Sequence, residues 1–275
     1  MLRTEIFSGR FYAGFPEELR KQIEACFLHK IGPGELPGPV VKKLDRNVGL
    51  ISPHAGYIYS GPVAARGYYE IAKMGKPKRV VLIGPNHSGY GNRLSAWPSG
   101  EWRTPLGTLK IDEEFTSSLI SLVEQLSPDT SAHLYEHSLE VQLPFLQYLF
   151  GNDFKIVAIT MMDQRYETSR KLAEGIKKLM SDTGTLIVAS SDLNHYEDHE
   201  TTTKKDDFLI ECIKSLDVKG LFEEAAARKI SACGLGPIAI ALMLFNSVVI
   251  GKHATSAETS GDYLHTVGYL SAILT

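Results

Sequence analysis

The sequence predicts an α/β protein of one domain, residues 1–275, built on a sheet with parallel strands. Three observations carry that reading. The run Arg79-Val-Val-Leu-Ile-Gly-Pro is fully apolar after its first residue and breaks at Gly84-Pro85, as a strand buried on both faces does. A second such run, Asn47–Ser52, lies upstream, and residues with helical spacing separate the two. A strand–helix–strand unit of this kind is expected to be parallel and right-handed. Both runs end in a breaker followed at once by a histidine, where open α/β sheets collect their ligands.

Residues Phe7–Phe15 show no clear period. Pro16-Glu17-Glu18 suits the first turn of a helix, whose buried face is Leu19, Ile23, Cys26 and Phe27. His29 falls beyond that face and reads as a loop residue, and Ile31–Pro39 is a Gly- and Pro-rich loop. After the Asn47–Ser52 strand, Pro53–Pro62 carries His54 in a breaker-rich loop, and the next helix buries Val63, Ala64, Gly67, Tyr68 and Ile71. His87 follows the Arg79 strand. Trp97–Gly107 reads as a structured loop over a cleft, Thr108–Ile111 as an edge strand, and Asp112-Glu113-Glu114 as a helix start.

In the stretch His133–Leu146, Glu136 and Glu140 share a face if a helix has begun there, and Pro144 marks a kink or a helix start. His133 and His137 fit no metal motif and read as capping or pocket-lining residues. Phe154–Met161 and Thr185–Ala189 are further strands, separated by the amphipathic helix Tyr166–Met180. The second of these strands runs into Ser190-Ser191-Asp192-Leu193-Asn194-His195. Two helices over Lys204–Lys229, the turn Cys233-Gly234, the helix Ile238–Phe245 and β-rich runs at Ser247–Ile250 and Tyr263–Leu274 complete the chain.

Composition narrows the function. Hydrophobic residues make up 43% and charged residues 22%, so the chain can bury a core without disulfide or metal staples. A net charge of −3 with scattered basic residues argues against nucleic acid as partner. No apolar run is long enough for a membrane helix, and the first residues lack the apolar centre of a signal peptide. Three dispersed cysteines suit a reducing compartment, so the expected location is cytoplasmic.

The chemistry-bearing residues converge on one sheet edge. Three strand ends deliver His54, His87 and the pair Asp192 and His195, and a helix N-terminus delivers Cys233. Two imidazoles with a carboxylate favour non-haem Fe(II), whereas adding the thiol shifts preference toward zinc or copper. Cys233 alone has a second use, because a helix dipole favours the thiolate and a neighbouring histidine could make it a nucleophile. A triad of Ser191, Asp192 and His195 is disfavoured by their place in one tight loop and by the lack of a Gly-x-Ser-x-Gly elbow.

These pieces together resemble the Memo family. The likeness rests on Pro53-His54-Ala55-Gly56-Tyr57, Gly84-Pro85-Asn86-His87, Trp102-Arg103-Thr104-Pro105-Leu106, Glu136-His137-Ser138-Leu139-Glu140, Ser190-Ser191-Asp192 with His195, and Cys233-Gly234 before Pro237-Ile238. It runs in order from about Gly14 to the C-terminus. It implies a single-domain, three-layer α/β/α fold with a central mixed, mostly parallel sheet, like that of class III extradiol dioxygenases. It also places His54 and His87 at the positions of iron-binding histidines, with Cys233, Asp192 and His195 in the same pocket. The family carries a thiol where those enzymes have a third hard ligand. Its animal members are described as binding phosphotyrosine peptides and as metal-dependent redox proteins.

The expected function is therefore a metal-binding redox or oxygenase-like protein. His54, His87 and Cys233 would hold Fe(II) or copper, with zinc possible, and Asp192, His195 and Cys233 would be the catalytic groups. The alternatives are a Cys233-dependent hydrolase without metal and a binding module for a phosphorylated or anionic ligand or peptide. Expected partners are a small molecule or phospho-ligand and a protein, but neither nucleic acid nor membrane.

Overall fold

The computed structural model describes residues 1–180 and 184–275. β1 (Leu2–Arg3) and α1 (Pro16–Leu28) precede the unit β2 (Val48–Ser52), α2 (Tyr57–Met74) and β3 (Arg79–Pro85). Then come β4 (Leu94–Ala96), β5 (Glu101–Thr104), β6 (Gly107–Ile111), α3 (Glu113–Leu122), β7 (Ser127–Pro128) and α4 (Ser131–Leu134). A 3₁₀ turn at Glu140–Gln142 leads into α5 (Leu143–Phe150), β8 (Lys155–Met161), α6 (Tyr166–Leu179) and β9 (Thr185–Ser190). The chain finishes with β10 (His195–Glu197), α7 (His199–Lys214), α8 (Val218–Ala227), α9 (Leu235–Leu244), β11 (Val248–Thr255), α10 (Ala257–Ser260) and β12 (Thr266–Leu274).

Among the described residues twelve strands form one sheet, its main path β1-β5-β6-β8-β3-β9-β2-β12-β10. The centre, β6-β8-β3-β9-β2, is parallel throughout. β12 runs antiparallel to β2, β10 and β11, so the sheet is mixed and mostly parallel at its core. Successive side chains of a strand point to opposite faces. In β3 this sends Val80 and Leu82 into a core with α1, α2 and α5, and Val81 and Ile83 into a core with α3, α6, α7, α8 and α9. Helices thus cover both faces, the three-layer arrangement that a sheet of doubly buried strands demands.

Several local expectations are corrected. α2 begins at Tyr57, ahead of the expected loop's end, and carries Pro62 in its second turn, where the missing N–H leaves the Ile58 carbonyl without its helical donor. Trp97–Gly107 does not form a loop over a cleft. It contains β5 and leads into β6, and both tryptophans are buried edge to face at 5.7 Å. Strands this short, punctuated by Pro98, Gly100 and Pro105, show no readable period. β6 lies between β5 and β8 rather than at an edge. Pro144 marks a helix start, and Glu136 and Glu140 lie ahead of that helix without sharing a face. No helix among the described residues is long and apolar enough to cross a membrane.

Candidate functional site

The parallel strands β2, β9 and β3 lie side by side, with Ser52 opposite Ser190 and Ala189 opposite Ile83. Their ends are level, and each presents a polar side chain just beyond: His54 after Ser52, Asp192 after Ser190, and His87 after Pro85. Cys233 comes from the other side, in the turn before α9. Gln164, past the end of β8, holds that turn by donating from Nε2 to the Cys233 carbonyl (2.7 Å) and accepting the Gly236 N–H (2.9 Å). Gly234 must be glycine for space, since a Cβ there would sit 2.5 Å from the Ser190 carbonyl oxygen.

The donor atoms of His54, His87 and Cys233 lie within 4.8 Å of one another. Hydrogen bonds fix the tautomers of both imidazoles. Ser190 Oγ donates to the Ser138 carbonyl (2.7 Å) and accepts from Gln142 Nε2 (2.9 Å), so its contact with His54 Nδ1 (2.9 Å) has the ring N–H as donor. His54 Nε2 is left unprotonated, facing Cys233 Sγ at 3.0 Å. His87 Nδ1 meets Glu136 Oε1 at 2.9 Å, the carboxylate also accepting the His87 main-chain N–H (2.5 Å) and that of Ser138 (2.8 Å). Glu136 is fully buried. Burial alone would raise its pKa, but the His87 hydrogen bond and the charges of His87 and His137 outweigh that and bring it down to about 2. Both imidazoles therefore keep Nδ1 for the protein and offer Nε2, the way histidine ligands are oriented in metal sites.

Asp192 joins the cluster at its base. Its Oδ1 accepts the His54 N–H (2.7 Å), and its own N–H donates to Cys233 Sγ (3.2 Å). Burial raises its carboxyl pKa. Cys233 stands just before Gly234, the N-cap of α9, rather than in the helix. Burial and then the charge of Asp192 push its thiol well above the ordinary range, opposite to the expected dipole-favoured thiolate. His195 begins β10, and its Nδ1 donates to the Ser231 carbonyl (3.0 Å). It lines the same cavity of about 460 Å³ as His54, His87 and Asp192, but makes no hydrogen bond to any of the other four site residues. Ser191 Oγ donates to the Asp192 carbonyl and accepts the Gly234 N–H, a structural role that leaves no triad.

His137 lines the cavity, stacked on His87 at 4.7 Å and tilted against Phe11 at 4.5 Å. His133 is instead buried against the two tryptophans. No local signal ties Glu136 to His87, because the two lie 49 residues apart and no period links them. Ser190, Gln142 and Gln164 were missed for the same reason. The N-terminal segment supplies Arg10 and Phe11 to the cavity. It is pinned by Glu140, which accepts from Arg3 (2.6 Å), from the Phe7 N–H (2.9 Å) and from Tyr12 Oη (2.7 Å).

The family model for a Memo-like protein matches residues 3–273. A MEMO1 family protein of Thermotoga neapolitana is 53% identical over 100% of both chains, and one of Sulfurisphaera tokodaii is 50% identical over 98% of both. Among solved structures, an uncharacterised protein of Escherichia coli K12 superposes with a TM-score of 0.53 over 84% of this chain and 100% of its own, at 13% identity, a likeness of fold. The chain belongs to the Memo-like family.

Proposed function

We propose that this protein binds a redox-active transition metal, Fe(II) or copper, through His54, His87 and Cys233, and acts as a redox or oxygenase-like protein on a small molecule. One observation carries the reading: two imidazoles with Nε2 offered and a thiol converge within 4.8 Å. A bound metal of this kind would supply one-electron or oxygen chemistry that side chains lack. Two nitrogens and one sulfur suit copper or zinc at least as well as iron. Ser190 and Glu136 would keep the two rings aimed. Asp192, whose carboxyl burial favours holding a proton, and His195, whose Nε2 is the acceptor, would move protons at the cavity wall. The raised thiol pKa disfavours the metal-free hydrolase, which needs a thiolate at neutral pH.

The test is anaerobic purification and elemental analysis of the wild type beside His54→Ala, His87→Ala and Cys233→Ser. Near-stoichiometric iron or copper, lost in each variant, is expected. A wild type that stays empty after Fe(II), Cu(I) and Zn(II) are offered would overturn the reading.

A further inference from the structure

Among the described residues, three other than glycine have positive φ: Tyr196 (63°), Leu216 (57°) and Lys229 (53°). Two are explained by helix ends. Leu216 follows α7 and Lys229 follows α8, and in each case the next N–H reaches back to close the helix, Asp217 to the Cys212 carbonyl (2.8 Å) and Ile230 to the Ala225 carbonyl (2.9 Å). Tyr196 has no such explanation. It is the extra residue of a bulge in β10, where His195 pairs with Val267 and Glu197 pairs with Thr266. A left-handed residue in a bulge is ordinarily glycine, and a side chain there is strained.

The bulge lets the next residue, Glu197, bond Asn194 and Lys205, but the Tyr196 side chain itself gains nothing from the fold that would offset its strain. Tyr196 is 76% exposed, and its phenol has no hydrogen-bond partner among the described residues. Its one ring contact among them is with its neighbour His195, at 5.5 Å. What the bulge does achieve is placement, since Tyr196 lines the cavity beside His195, along with Phe11 and Tyr59. Bulges next to functional sites re-aim a side chain, and strain retained without packing reward points to a ligand.

We propose that Tyr196 is a ligand-contacting residue. Its ring forms the outer wall of the cavity and packs on a flat, unsaturated face of the small molecule bound beside His54, His87 and Cys233. The location of that molecule rests on the function proposed above; the role of the ring does not require a particular metal.

Two measurements test it. In thermal unfolding of the metal-free protein, Tyr196→Gly should melt at the wild-type temperature or higher, because glycine relieves the left-handed strain. A melting point several degrees lower would make the ring structural and overturn the proposal. Binding of imidazole and of 4-phenylimidazole to Co(II)-loaded protein is then followed by visible absorption. Tyr196→Gly should weaken 4-phenylimidazole by roughly three- to tenfold, the size of one aromatic contact, and leave imidazole unchanged. Tyr196→Phe should keep the wild-type preference. Equal weakening of both probes, or of neither, overturns the proposal. If Co(II) does not bind, the metal reading falls separately, and the same two probes are compared by proton line widths on the metal-free protein under the same criteria.

Discussion

Glu136 grips His87 at two points, the ring Nδ1 and the main-chain N–H, and is the buried charge on which the ring's orientation depends. Burial lowers the His87 pKa, but the Glu136 hydrogen bond and charge outweigh it and the net shift is upward. Glu136 is shifted the opposite way, from 4.5 to about 2. A carboxylate more acidic when folded stabilises fully above its unfolded pKa and loses that contribution as pH falls toward the folded value. A histidine less acidic when folded stabilises below its unfolded pKa, 6.5, and loses the contribution as pH rises through the folded one. In metal-free protein, the stability gap between wild type and Glu136→Gln should be widest between pH 4.5 and 6.5. It should be on the order of 3 kcal/mol there and narrow on both sides. Urea unfolding across pH measures it, and a gap that does not change with pH would mean that the pair is not ionic. With metal present, the same variant should bind roughly 10- to 100-fold more weakly, as loss of a partner behind a histidine ligand usually causes.

The turn before α9 is positioned by contact rather than by charge. Gly234 rests on the end of β9, and a methyl group there would collide with the Ser190 carbonyl and the Ser191 side chain, neither of them the far end of a flexible group. Gly234→Ala should therefore lift the turn, cost about 1–3 kcal/mol of stability as overpacking does, and lower metal affinity by moving Cys233 from His54. Denaturant unfolding and metal titration report the two effects. Loss of stability with unchanged affinity would show that Cys233 is not held by this packing. The same elements show what a sequence can reveal. The strand ends bearing His54, His87 and Asp192 were legible because doubly buried strands are apolar runs that stop sharply. Local breakers also gave the Cys233-Gly234 turn. The supports behind them were not, because Ser190, Gln142 and Glu136 act through pairings set by tertiary packing, which leaves no local period. β5 lies in a stretch that reads as loop for a related reason, being too short to show alternation between its breakers.

At the scale of the whole molecule, one sheet separates two cores, and neither core has a sheet of its own. Adjacent residues of β3 enter different cores: Leu82 belongs to the one that α1, α2 and α5 cover, and Ile83 to the one that α3, α6 and α9 cover. Both are completely buried. If the chain is one cooperative domain, damage to either layer must be felt by the other through the shared strands. Leu82→Ala and Ile83→Ala should each cost about 2–5 kcal/mol, the usual range for emptying such a site. In scanning calorimetry each should move a single transition, with calorimetric and van't Hoff enthalpies in agreement. Two resolved transitions, one shifted by Leu82→Ala and the other by Ile83→Ala, would show instead that the layers unfold independently. The proposed metal site would then stand on a boundary between them, because His54, His87 and Asp192 follow shared strands whereas Cys233 enters with α9 from one layer alone.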